Sequence, residues 1–271
     1  MILSHESARL FWRLHGDGYL DSQRRIVTGK SMTRVLAKDA RAVAESFHLP
    51  LPLDVMTLEA KEGSLSDSFV KHICTVARST PCAVLIAPGL YVVCPELCFV
   101  QAAQRADIVG SIKLGFEFCG TYMPDPHGVA GQRSRPPLCT PESLRDFIEK
   151  LEHKYPGTVE ARKALRYVIP GSASTAETAL TMLCTLPYRM GGFNLPRPKL
   201  NQEVRLGHAG SRVVGRGVLK PDLLWRKEKV ALEYNSKSTH GDDGQREYDD
   251  RRNNALQDKD FRYFICTTAI L

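Results

Sequence analysis

The sequence predicts an α/β (α+β) protein in two parts: a small N-terminal α/β module, then a domain whose elements run α, β, β, β, α, β. Three observations carry that expectation. β-branched apolar runs bounded by Pro and Gly alternate with helical spacing through residue 122. Residues 123–141, "MPDPHGVAGQRSRPPLCTP", are rich in Pro, Gly and Arg without apolar periodicity, and read as a linker. From residue 142 a helical lead-in and then a regular helix–strand pattern extend to residue 271.

The elements follow in order. In "LSHESARLFWRL", Ser4 offers an N-cap, Glu6 sits in the first turn, and Leu10, Phe11 and Leu14 fall at helical spacing. "HLPLPLDVMTLEA" and "CAVLIAPGLYVVCPELCFVQAAQ" read as strands, with a helix starting after Pro95. Thr140 caps a helix whose first position is Pro141 and whose apolar face is Leu144, Phe147, Ile148 and Leu151. "VEARKALRYVI" gives a second helix, and a third runs from "GSAS" to Pro187. Two or three strands follow through residue 237, then a polar helical stretch to about residue 259, then the closing strand "FRYFICT". "GSRVVGRG", from Gly210, departs from the dinucleotide-binding fingerprint and reads as a flexible hairpin.

Composition narrows the function classes. A 271-residue chain with 43% hydrophobic and 25% charged residues has the balance of a folded globular protein. No run reaches the ~18 apolar residues a membrane span needs, and polar residues stand where a signal peptide carries its apolar core, so a cytoplasmic protein with no membrane partner is expected. The eight cysteines are scattered and lack zinc-ligand spacing, which predicts reduced, mostly buried thiols. A net charge of +7 suits a nucleic-acid partner, although no polybasic block occurs.

The chemistry concentrates in "KPDLLWRKEKVALEYNSKSTHGDD", residues 220–243. Side chains alternate along a strand, so Glu233, Asn235 and Lys237 point one way while Val230, Leu232 and Tyr234 point the other. Asp222 lies on the preceding strand across the basic turn "RKEK", which brings it beside Glu233. Two neighbouring carboxylates repel unless a cation lies between them, and Mg2+ or Mn2+ prefers such hard oxygen ligands. Each residue also has a plainer role. Asp222 can pair with Lys227, Glu177 can complete a capping box with Ser174, His240 can be a loop histidine, and Asp249 and Arg252 can form a surface ion pair.

Asp222 after Pro221, Glu233 eleven residues on, then Asn235 and Lys237 resemble the PD-(D/E)XK nuclease motif. Together with "REYDDRRNNAL" and "FRYFICT", the stretch over about residues 170–267 is similar to domains related to very-short-patch repair endonucleases. The resemblance implies a restriction-endonuclease-like fold and Mg2+- or Mn2+-dependent hydrolysis of DNA. It implies Glu177, Asp222 and Glu233 as metal ligands, Asn235 and Lys237 completing the catalytic shell, and His240 as general acid or base. Asp249, Arg252 and Leu256 match a further element, and Arg212, Arg216 and Arg252 are candidate DNA contacts. Relatives usually carry Asp where this chain has Asn235, and Lys237 stands two residues beyond the strict Glu-x-Lys spacing. The alternative is therefore a nuclease fold without chemistry, binding DNA or a protein partner in a toxin–antitoxin or repressor-like role. In the first part, "HLPLPLDVMTL" and "YVVCPELCFVQAA", with Cys94-Pro95-Glu96 at a helix start, resemble the middle region of AbiEi-type antitoxin proteins.

Overall fold

The structure, a computed structural model, describes residues 1–26, 36–57, 66–73, 76, 80–125, 128, 131–151, 155–235, 251–252, 254–256 and 260–267. The fold is α/β, and the chain divides into two compact units, Met1–Val168 and Ile169–Leu271.

The first unit begins with β1 (Ile2–Leu3), α1 (His5–His15), β2 (Arg24–Ile26), α2 (Ala37–Ser46), β3 (Leu53–Thr57) and β4 (Phe69–Ile73). It continues through β5 (Pro81–Ala87), β6 (Leu90–Val93), α3 (Pro95–Ala103), α4 (Ile108–Cys119), β7 (Tyr122–Pro124), β8 (Gln132–Ser134), α5 (Pro141–Lys150) and α6 (Thr158–Leu165). Six strands form a mixed sheet in the order β2-β5-β6-β1-β3-β4. Helix α3 is buried along nearly its whole length because α1, α4, α5 and α6 all pack on it. Pro95 at its first turn costs no hydrogen bond there. The close approach of α6 to α3 requires Gly157, which has φ +86 and whose missing Cβ would lie 2.2 Å from the Val100 carbonyl oxygen.

The expected linker at 123–141 belongs to this unit. Its first part belongs to the β7–β8 hairpin, in which Met123 pairs with Arg133. Arg133 donates to Asp17 at 2.8 Å, and buried Arg135 donates to the Glu117 carbonyl at 2.7 Å. The division of the chain falls instead between Val168 and Ile169, after α5 and α6. Their apolar faces, Leu144, Phe147 and Ile148 on α5 and Ala161, Ala164 and Leu165 on α6, are spent inside the first unit. Thr140 caps α5 as its sequence predicts, accepting from the Ser143 N–H at 3.1 Å in a reciprocal capping box.

The second unit contains α7 (Thr175–Thr185), β9 (Lys199–Leu200), β10 (Val204–Arg205), α8 (His208–Val214), β11 (Val218–Leu219), β12 (Leu223–Trp225), β13 (Val230–Asn235) and β14 (Arg262–Thr267). Residues 251–252 and 254–256 are helical. The main sheet runs β14-β13-β12-β9, with β14 parallel to β13 and β12 antiparallel to both its neighbours. Leu180 and Cys184 of α7 pack on one face, against Leu223, Trp225 and Cys266. Ala255 and Leu256 pack on the other, with Leu224, Ala231 and Phe261. The expected flexible hairpin at Gly210 is instead the helix α8, which ends at Gly215 with φ +70. Seven cysteines are described, all free and buried. No helix among the described residues is long and apolar enough to cross a membrane.

Candidate functional site

The site is built by strand register. Leu223 pairs with Leu232 and Leu224 with Ala231, so the antiparallel pairing places Asp222, one residue earlier, across from Glu233. Alternation then puts both carboxylates on the face of Leu224 and Ala231, away from α7. Asn235 shares that face, two residues beyond Glu233.

Asp222 is fixed by the Tyr234 N–H, which donates to Oδ2 at 2.7 Å; Oδ1 accepts no hydrogen bond among the described residues. Burial, and next the negative charge of Glu177, push its carboxyl up to about 7. Glu233 adds to that push, while the Tyr234 N–H and the Arg252 charge oppose it. The plainer expectation, a pair with Lys227, is replaced by this backbone contact. Glu233 is compensated differently. Arg252 forms an ion pair with Oε2, and the Tyr263 hydroxyl donates to the same oxygen at 3.1 Å. The guanidinium also lies 5.9 Å from the Tyr263 ring centre. Arg252, a candidate DNA contact and a candidate partner of Asp249, holds Glu233 with its side chain only 12% exposed. Asp249 itself lies outside the described residues.

Ser174 caps α7, accepting from the Glu177 N–H at 3.0 Å, but the expected reciprocal box is not closed by Glu177. The Glu177 carboxylate accepts from the Ala173 N–H at 2.8 Å and from Asn201 Nδ2 at 2.7 Å. The Asn201 N–H in turn donates to the Asp222 carbonyl at 3.1 Å, so one asparagine ties Glu177 to the start of β12. Asn201 and Tyr263 were not among the candidates, because neither has a motif: the first is a loop residue with φ +49, the second a strand aromatic.

A cleft of about 270 Å³ adjoins Glu233 and Arg252, lined also by Glu203, Arg216, Val218, Leu219 and Lys220. Lys220 pairs with Glu203 at 3.2 Å. Arg216 lies in this lining, whereas Arg212 is exposed on α8. Lys237 and His240 lie outside the described residues. Comparison with protein-family models, curated proteins and solved structures gives no match to this chain.

Among the described residues no group of three His, Cys, Asp or Glu side chains is gathered for a metal. The donor chemistry still suits a hard divalent cation at Asp222. That carboxyl is desolvated near two other acids, has an oxygen without a hydrogen bond among the described residues, and would gain from a nearby positive charge. Arg252 already neutralises Oε2 of Glu233, so an ion shared with Asp222 would compete with it for that oxygen.

Proposed function

We propose that the second unit is a PD-(D/E)XK-type nuclease that hydrolyses DNA phosphodiester bonds with Mg2+ or Mn2+. The observation supporting the reading is Asp222 standing across from Glu233 on one sheet face, with a charged cleft at Glu233 whose lining includes Arg216, Lys220 and Arg252. Asp222 and Glu233 would hold the ion, with Glu177 shaping the charge around Asp222. The ion would supply an acidified water and neutralise charge on the scissile phosphate. Arg216 and Lys220 bind and orient the phosphate backbone. Asn235 completes the polar edge, and the motif resemblance assigns Lys237 to charge stabilisation and His240 to proton transfer. The setting of this activity is the cytoplasm.

A second reading is a nuclease fold that binds DNA, or a protein partner in a toxin–antitoxin or repressor-like role, without cutting. The Arg252–Glu233 ion pair and the amide at Asn235 favour it, since both leave the site with less negative charge for a metal. Calorimetric titration of Mn2+ into the wild type, Asp222→Ala and Glu233→Ala separates the two, alongside cleavage assays on DNA and RNA. The nuclease reading expects binding heat and DNA cleavage in the wild type and their loss in both variants. Equal heats in all three proteins, with no cleavage, leave the binding role. Cleavage of RNA alone would change the substrate.

A further inference from the structure

We propose that the groove between α5 and α6 in the first unit is a phosphate-binding site for the DNA backbone, separate from the carboxylate pair of the second unit. Arg145 and Glu149 stand one turn apart on α5, Arg162 lies on α6 with Arg166 one turn on, just past its end, and together with Ile148 and Leu165 they line a groove of about 220 Å³. Arg145 and Arg162 thus bring two guanidiniums to a lining whose described residues include one carboxylate, Glu149. A structural arginine is ordinarily held by a carboxylate or a carbonyl, as Arg13 is by Glu117 and Arg135 by the Glu117 backbone. Arg145 and Arg162 make no ion pair or side-chain hydrogen bond among the described residues, although Glu149 lines the same groove.

Arg145 is exposed and Arg162 half-buried, so water screens their mutual repulsion, and an anion seated between them would gain from both charges. The buried side chains Ile148 and Leu165 form a low-dielectric floor that strengthens the field above them. A guanidinium presents a planar fork of donors that fits two phosphate oxygens at once. The chemistry selected is thus a phosphodiester, and a duplex supplies several in a row at fixed spacing. This inference rests on the nucleic-acid part of the reading above and not on hydrolysis.

The test is fluorescence anisotropy of a labelled DNA duplex with EDTA present, so that cleavage plays no part. Arg145→Gln/Arg162→Gln is compared with the wild type and with Lys150→Gln/Lys163→Gln, which removes the same charge from α5 and α6 outside the groove lining. The groove variant is expected to bind about tenfold more weakly, with the slope of log affinity against log salt shallower by about 2, while the control pair changes little. Arg145→Lys/Arg162→Lys should regain most of the slope, which excludes misfolding as the cause. Unchanged binding in the groove variant, or equal losses in both double variants, would overturn the inference. Inorganic phosphate binding that depends on Arg145 and Arg162, with DNA affinity unaltered, would assign the groove to a small anion and overturn it likewise. Loss of cleavage in Asp222→Ala with an intact groove effect leaves this inference standing, whereas DNA cutting that persists in Asp222→Ala removes only the nuclease reading.

Discussion

Arg252 donates to Oε2 of Glu233, the oxygen that Tyr263 also reaches, so a protein cation occupies one side of the carboxylate proposed to hold a metal. The side chains are only 12% and 17% exposed, so removing one partner leaves a poorly solvated charge. Arg252→Ala should therefore destabilise the second unit by about 2 kcal/mol, less than the cost for a fully buried pair. If Arg252 stands where the ion would sit, Mn2+ should raise the melting temperature of Arg252→Ala more than that of the wild type. Melting curves with and without Mn2+ read both effects, and an equal metal response in the two proteins would count against competition.

The Asp222 carboxyl gives a pH signature. Its folded-state value is raised from 3.8 to about 7, chiefly by burial. Below pH 4 it is protonated in both states; between about 4 and 7 unfolding releases a proton, so stability falls as pH rises, and above 7 this contribution is flat. Asp222→Asn should remove that slope and be relatively more stable at pH 8 than at pH 5. Urea midpoints at the two pH values check the difference.

His5 acts with the opposite sign. Burial, then the charges of His72 and Arg105, lower it from 6.5 to about 4, and its ring stacks on His72 at 3.8 Å. The folded state thus resists a proton that the unfolded chain accepts, and stability is lost as pH falls from 6.5 towards 4. His5→Asn, which tolerates the φ of +47, should reduce acid sensitivity across that window, read from thermal melts.

Gly157→Ala tests how closely α6 approaches α3. A methyl group there meets the Val100 carbonyl at 2.2 Å in a backbone conformation that L-residues avoid. The expected cost exceeds about 3 kcal/mol, against a few tenths for an alanine at an open glycine with ordinary φ. A melting temperature within a degree or two of the wild type would show that the two helices can separate without penalty.

Much of this arrangement could be read from local sequence. Alternation in "VALEYNSK" and the length of the "RKEK" turn sufficed to face Asp222 towards Glu233, and Thr140-Pro141 marked the start of α5. What escaped is long-range. Helical spacing pointed only to Asp249 beside Arg252, whereas the ion pair of Arg252 with Glu233 on β13 joins residues that no local pattern links. The Pro- and Arg-rich composition of 123–141 concealed that Arg135 is buried on a helix-end carbonyl of the first unit. Gly210 suggested a loop, yet it sits against Ala255, where a larger residue would crowd the helix contact.

The turn between β12 and β13, residues 226–229 with Lys229 at φ +53, carries a consequence for how this unit can diverge. Parity in a hairpin is discrete: one inserted residue that shifts the pairing sends every downstream side chain to the opposite surface. Glu233 would then turn to the α7 face and Leu232 would take its seat. Lineages that lengthen this turn by a single residue must therefore abandon the acidic pair or rebuild the strand, whereas two-residue changes leave the facing intact.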